Sequence, residues 1–223
     1  MTDSEFNTAP RKLLLEGAKL VYKNALCHYD SAQALAANGK YGTANALLIL
    51  GMEECVKSMA LTAGFCGVKL PSSIELFFTS HKVKLGEAEK IQPFAQDMIN
   101  LLHILNPLME RRKLKGRLIN PFAFVRLFFR VIRSFKISPI SKNQALFWQT
   151  ANPKKQAGLY VGYTDGKWLT PLDTPKSAYD QTSELANPFF TVLKHLEEIK
   201  PNDYKTIDKA RVTLNKVLPQ VFS

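Results

Sequence analysis

Apolar residues recur at spacings of three and four along the first part of the chain. Leu14, Ala18, Val21, Ala25, Tyr29, Ala32 and Ala36 line one face, which predicts a helix from about residue 10 to 38. Asn38-Gly39 is a stop signal for its C-terminus. The next stretch, about 41–64, is apolar on nearly every side and reads as the central, most buried helix. Ser72 and Glu75 stand at capping-box spacing and open a third helix carrying Phe77, Phe78, His81 and Leu85. Gly86 and Pro93 mark a break or kink, after which helix resumes to about residue 109.

The pattern then changes. From about 111 to 155 the chain is basic, aromatic and punctuated by Pro121, Pro139 and Pro153. Within this insert, Arg126, Arg130 and Arg133 fall on one face of a short amphipathic helix, and Phe124, Leu127, Phe128, Val131 and Phe135 cover the rest. Residues 158–171 alternate around Asp165-Gly166 and predict a β-hairpin. Two helices close the chain, about 182–199 and 201–220, the second with Pro201 at its first position. The reading is an all-α domain spanning 1–223, with a basic insert and one small hairpin.

Composition sharpens this picture in two places. With 223 residues, 46% hydrophobic and 22% charged, the chain is ordinary for a globular protein. The net charge of +11 is concentrated: residues 111–164 hold twelve Lys or Arg and no acid, and everything else sums to −1. So segregated a field points to an anionic partner. Cys27, Cys55 and Cys66 form no CxxC pair and read as buried free thiols of a reducing compartment. The polar N-terminus has no secretory h-region, and no uncharged run approaches the roughly twenty residues of a spanning helix, so a cytoplasmic location is expected. There is no GxxxxGK, GxGxxG or HExxH. Neither a metal nor a cofactor is expected.

Candidate chemistry begins on the central helix. In "LLILGMEECVKSMAL", Glu53 and Lys57 are four apart in the order that favours a helix pair. Glu54 shares a stripe with Leu47, Leu50 and Leu61, so it needs a partner or an upward-shifted pKa. The bland reading is a structural ion pair that fixes helix packing. The sharper one is a polar pocket of Glu54, Lys57 and His81, with Glu53 and Lys84 beside it. A second candidate is a nucleic-acid surface in which Arg126, Arg130, Arg133, Lys154 and Lys155 meet phosphates and Phe128, Phe129, Phe147 and Trp148 stack on bases. Those aromatics equally suit a core or a subunit interface. The basic helix also suits an anionic membrane surface. Tyr160, Tyr163 and Trp168 of the hairpin read as structural, covering a bundle edge or packing on a partner.

Three ordered motifs carry a resemblance: EExxK at Glu53, Glu54 and Lys57; HKxKL at His81, Lys82, Lys84 and Leu85; and the hairpin residues Leu159, Tyr160, Val161, Tyr163, Asp165, Gly166, Trp168 and Pro171. Together, over about residues 20–200, the chain resembles AbiV-type abortive-infection proteins, a branch of the HEPN superfamily. The resemblance implies an antiparallel HEPN-like helical bundle, a role in bacterial phage defence, and a homodimer. Many HEPN proteins are RNases whose signature is an Arg, four to six residues, then a His. None of His28, His81, His103 and His195 has an Arg at that spacing. The family's RNase residues are therefore not carried over. Two functions stay open: binding of an anionic macromolecule (RNA, the translation machinery, or an acidic phage or host protein), or a metal-independent RNase in which His81 acts as general acid or base, Lys57 or Lys84 stabilises phosphate charge, and Glu54 orients them.

Overall fold

The computed structural model describes residues 9–67 and 142–203, together with Lys205 and Asp208. The third helix of the sequence reading, the arginine face at 126–133 and most of the last helix lie outside these residues. Among the described residues there are four α-helices and one antiparallel ribbon: α1 (Arg11–Ala37), α2 (Tyr41–Phe65), α3 (Lys142–Leu159), β1 (Gly162–Thr164), β2 (Lys167–Leu169) and α4 (Lys176–Leu193). Single 3-10 segments, Pro171–Asp173 and Lys194–Glu198, precede and follow α4.

Helix α1 buries Leu14, Leu15, Ala18, Tyr22, Ala25 and Ala32, the stripe that its three–four spacing dictates. It stops where glycine allows it to. Gly39 takes a φ of 72°, Gly39 N–H donates to the Ala36 carbonyl, and Lys40 N–H donates to the Leu35 carbonyl. These two bonds form a Schellman motif, which turns the chain directly into α2.

Helix α2 is the core of the bundle. It packs on α1, α3 and α4 and buries residues on nearly every side. Small side chains make this possible. A Cβ at Gly158 of α3 would lie 2.2 Å from the Gly42 carbonyl oxygen, and a Cβ at Gly42 would lie 2.1 Å from the Pro171 carbonyl oxygen. Both positions therefore require glycine. Ser58 Oγ donates to the Ala18 carbonyl at 2.9 Å, joining α2 to α1. Tyr22 donates to the Phe190 carbonyl at 3.2 Å, and Tyr29 packs on the Phe190 ring, joining α1 to α4. Lys19 caps the chain after α4 by donating to the carbonyls of Glu197 and Ile199.

Several boundaries differ from the sequence reading. The segment assigned to a basic insert up to 155 is helical from Lys142 onward, and α3 runs through Pro153 to Leu159. Pro153 removes one hydrogen bond to the residue 149 carbonyl, but it sits on the exposed side and the helix continues. The first hairpin strand is correspondingly shorter, beginning at Gly162 rather than Leu159. The penultimate helix starts at Lys176, six residues before the expected 182, and its last turn tightens into 3-10 geometry after Leu193. The thiols also divide: Cys55 and Cys66 are buried as expected, whereas Cys27 is exposed. Burial pushes the Cys66 thiol up to about 11 and the Cys55 thiol well above its usual range, where the Glu54 carboxylate adds to the effect.

The hairpin has the predicted turn. Asp165 and Gly166 both take positive φ, 50° and 77°, as a two-residue primed turn requires. Pairing is Gly162 to Leu169, Tyr163 to Trp168 and Thr164 to Lys167. The ribbon covers no bundle edge: all six strand residues are exposed.

Candidate functional site

The two adjacent glutamates of α2 diverge by about 100° around the helix, and the structure gives them different partners. Glu53 points into the core. Its Oε1 accepts from Lys155 Nζ of α3 at 2.5 Å, with side-chain exposures of 1% and 2%. Two opposite charges this deeply buried are held by each other, because neither retains water. Glu54 instead shares a half-buried face with Leu47, Leu50 and Lys57. Lys57 Nζ donates to Glu54 Oε1 at 2.5 Å, with 12% and 15% of the two side chains exposed.

The pairing thus differs from the i,i+4 match expected between Glu53 and Lys57. Lys57 takes the acid three residues before it, and Glu53 takes a lysine 102 residues away in sequence. His81 and Lys84 lie outside the described residues, as do Arg126, Arg130 and Arg133. The described members of the polar cluster, Glu53, Glu54 and Lys57, belong to two separate ion pairs facing different ways.

The expected nucleic-acid surface is also redistributed. Lys155 is committed to Glu53 in the core and is not displayed for phosphate. Phe147 and Trp148 are 4% and 3% exposed; they stack edge-on, and Trp148 packs edge-on against Phe189 of α4. They are core residues and present no face to a base. Lys154 remains half-buried, with its ammonium 4.7 Å from the Phe147 ring centroid, a cation–π arrangement. Burial lowers its pKa from the ordinary lysine value.

Lys155 was legible in hindsight. Trp148, Ala151, Lys155 and Gly158 recur at spacings of three and four, and all four are buried. A lysine on such a stripe demands a buried acid. Reading Pro153 as a break concealed the stripe.

The described residues hold no cluster of three or more His, Cys, Asp or Glu side chains suited to a metal ion. Among them no helix is long and apolar enough to cross a membrane.

Comparison with known proteins gives a family match. No curated protein and no solved structure is significantly similar to the chain. The family model of the HEPN domain described as AbiV matches residues 13–190, which takes in α1, α2, α3, the ribbon and most of α4. The match covers most of the 223 residues and agrees with the helical architecture, so the chain belongs to the AbiV family of HEPN proteins.

Proposed function

We propose that this protein acts in bacterial abortive infection by binding a phage or host macromolecule rather than by cutting RNA. The observation that carries the reading is the lack of an Arg at the spacing of the family's RNase signature before any of the four histidines. Of the candidate site residues on α2, Glu53 is sealed against Lys155 in the core, out of a substrate's reach. Family membership supports the defence role. The partner is an anionic macromolecule, RNA or an acidic protein, engaged by the acid-free basic stretch at 111–164, and the protein acts as a homodimer that presents this surface twice. Its binding blocks a step such as translation.

One observation favours the atypical RNase as a second reading. Glu54 and Lys57 touch each other, and each keeps more than a tenth of its side chain exposed, as a site in which Glu54 orients Lys57 would require. The experiment is direct. Purified protein is incubated with bulk RNA, with His81→Ala and Lys57→Ala as controls. Intact RNA throughout supports binding. Cleavage abolished by both substitutions overturns it. A gel shift on RNA whose affinity is indifferent to salt argues against phosphate contacts by the basic stretch.

A further inference from the structure

Asn38-Gly39 carries a chemistry that its role as a helix stop does not use. Asn38 alone among the asparagines of the chain is followed by glycine, and Asn106, Asn120, Asn152 and Asn187 precede proline, which has no N–H. An asparagine side-chain amide can close a five-membered ring onto the next backbone nitrogen. Glycine leaves that nitrogen unshielded because it has no Cβ. In this step the Gly39 nitrogen attacks Asn38 Cγ. The new N–Cγ bond closes a succinimide, the Cγ–Nδ2 bond breaks, and ammonia leaves with the proton that Gly39 gave up. Water then opens the ring at either carbonyl. The product is aspartate or, with the main chain rerouted through Cβ and Cγ, isoaspartate.

The fold both exposes this pair and holds it back. Asn38, Gly39 and Lys40 are exposed. No described heavy atom lies within 4 Å of the place a Gly39 Cβ would take, so the ring has room to form. Three features oppose it. Gly39 N–H donates to the Ala36 carbonyl at 3.0 Å, which keeps the attacking nitrogen protonated and aimed into the helix end. Asn38 Nδ2 donates to the Ala34 carbonyl at 2.7 Å, which pins the leaving group. The Asn38 ψ of 17° holds Cβ far from the eclipsed position over the Gly39 nitrogen that the ring needs. All three are lost together when the turn opens, and exposed helix ends open at small free-energy cost.

We propose that Asn38 is a deamidation site gated by the Schellman turn between α1 and α2, converting to aspartate or isoaspartate when that turn opens. The change runs one way. A carboxylate has no N–H to give the Ala34 carbonyl, and it adds negative charge at the negative end of the α1 dipole. Isoaspartate also puts an extra methylene into the main chain, which spoils the spacing of the two bonds of the motif. The glycine that lets α1 stop is thus what makes the stop perishable.

Peptide mapping by mass spectrometry on the full chain, aged at pH 8, tests it. The expected first product is the amide-to-acid change at Asn38, with aspartate and isoaspartate forms resolved by chromatography. In native buffer it should form about tenfold or more slowly than in the chain unfolded by urea, because only the open fraction reacts. Lys40→Pro removes the N–H that reaches Leu35 and leaves the Asn-Gly pair intact, so it should raise the native rate several-fold towards the unfolded one. Should that variant fold poorly, hydrogen exchange at the wild-type Gly39 amide decides: its open fraction multiplied by the unfolded rate should reproduce the native rate. Asn38→Asp, which reproduces the acid product, should melt below wild type, and an unchanged melting temperature overturns the loss of the turn. Equal rates in native and unfolded protein overturn the gate. Another asparagine converting first in native protein, or no conversion at Asn38 in the unfolded chain, overturns the site.

Discussion

Glu53 and Lys155 meet at 2.5 Å in the core of the bundle, joining α2 to α3 across 102 residues of sequence. Removing either partner takes a buried, opposite charge away from the other. Glu53→Gln or Lys155→Met alone should destabilise the fold by about 3–5 kcal/mol. Glu53→Gln combined with Lys155→Met should cost clearly less than the sum of the two single losses. Urea unfolding of the four proteins measures the coupling. Additive losses would mean that the pair is not coupled.

Backbone contact at Gly158 gives a second prediction. Its Cβ position lies 2.2 Å from a carbonyl oxygen that cannot rotate away. Gly158→Ala should cost about 2–3 kcal/mol or more by overpacking. Gly162→Ala, where no heavy atom lies within 4 Å, should stay within about 0.5 kcal/mol of wild type. Melting temperatures of the two variants should differ accordingly.

The buried Cys66 thiol predicts a loss of stability in alkali. Its pKa rises from 9.0 in an open chain to about 11 in the fold, chiefly through burial, with Asp208 raising it and Arg11 opposing. Above pH 9 the unfolded chain releases this proton and the folded one keeps it. Stability is therefore full below pH 9 and falls as pH rises towards 11, by about 2–3 kcal/mol in total. Cys66→Ala should make that part of the pH profile less steep, leaving the loss that the raised Cys55 thiol contributes, whatever its effect at neutral pH. Denaturant titrations at pH 8, 9.5 and 10.5 provide the check.

The thiols give a fourth prediction. Cys27 is exposed, and Cys55 and Cys66 are buried with raised pKa values. Native protein should react with a thiol reagent such as Ellman's at one site per chain within minutes. The remaining two thiols should appear only on unfolding, because a buried, protonated thiol is a poor nucleophile. Three fast-reacting groups in native buffer would contradict this burial.

Much of this architecture was legible in the order of residues. The stripe from Leu14 to Ala32, the Asn38-Gly39 stop, the all-round burial of α2 and the Asp165-Gly166 turn each follow from local rules that tertiary packing does not overturn. The charged residues on α2 were read correctly as needing partners. Which partner each takes is a tertiary fact. Neighbouring glutamates on a helix point about 100° apart, so Glu53 and Glu54 were bound to separate, but only the packing of α3 reveals a lysine waiting for one of them. Pro153 misled for a related reason. A proline on the outer side of a helix costs one hydrogen bond, and the buried stripe of Trp148, Ala151 and Lys155 compensates through packing that no local rule counts. Exposure of the aromatic ribbon was equally invisible, since alternation identifies a strand without saying what, if anything, lies against it.

The contacts around Gly42 have a consequence for recognition. Gly158, before the ribbon, rests on its carbonyl, and Pro171, after the ribbon, crowds its α-carbon. Thr170 and Asp173 lock the second foot in a capping box. The ribbon therefore stands as a post with both feet set in one socket. Ordering entropy that a floppy arm would lose on meeting a partner is already lost when the bundle folds. Any partner that meets this post finds it already ordered, and loosening the socket should raise the ordering cost of such a meeting without touching a single ring.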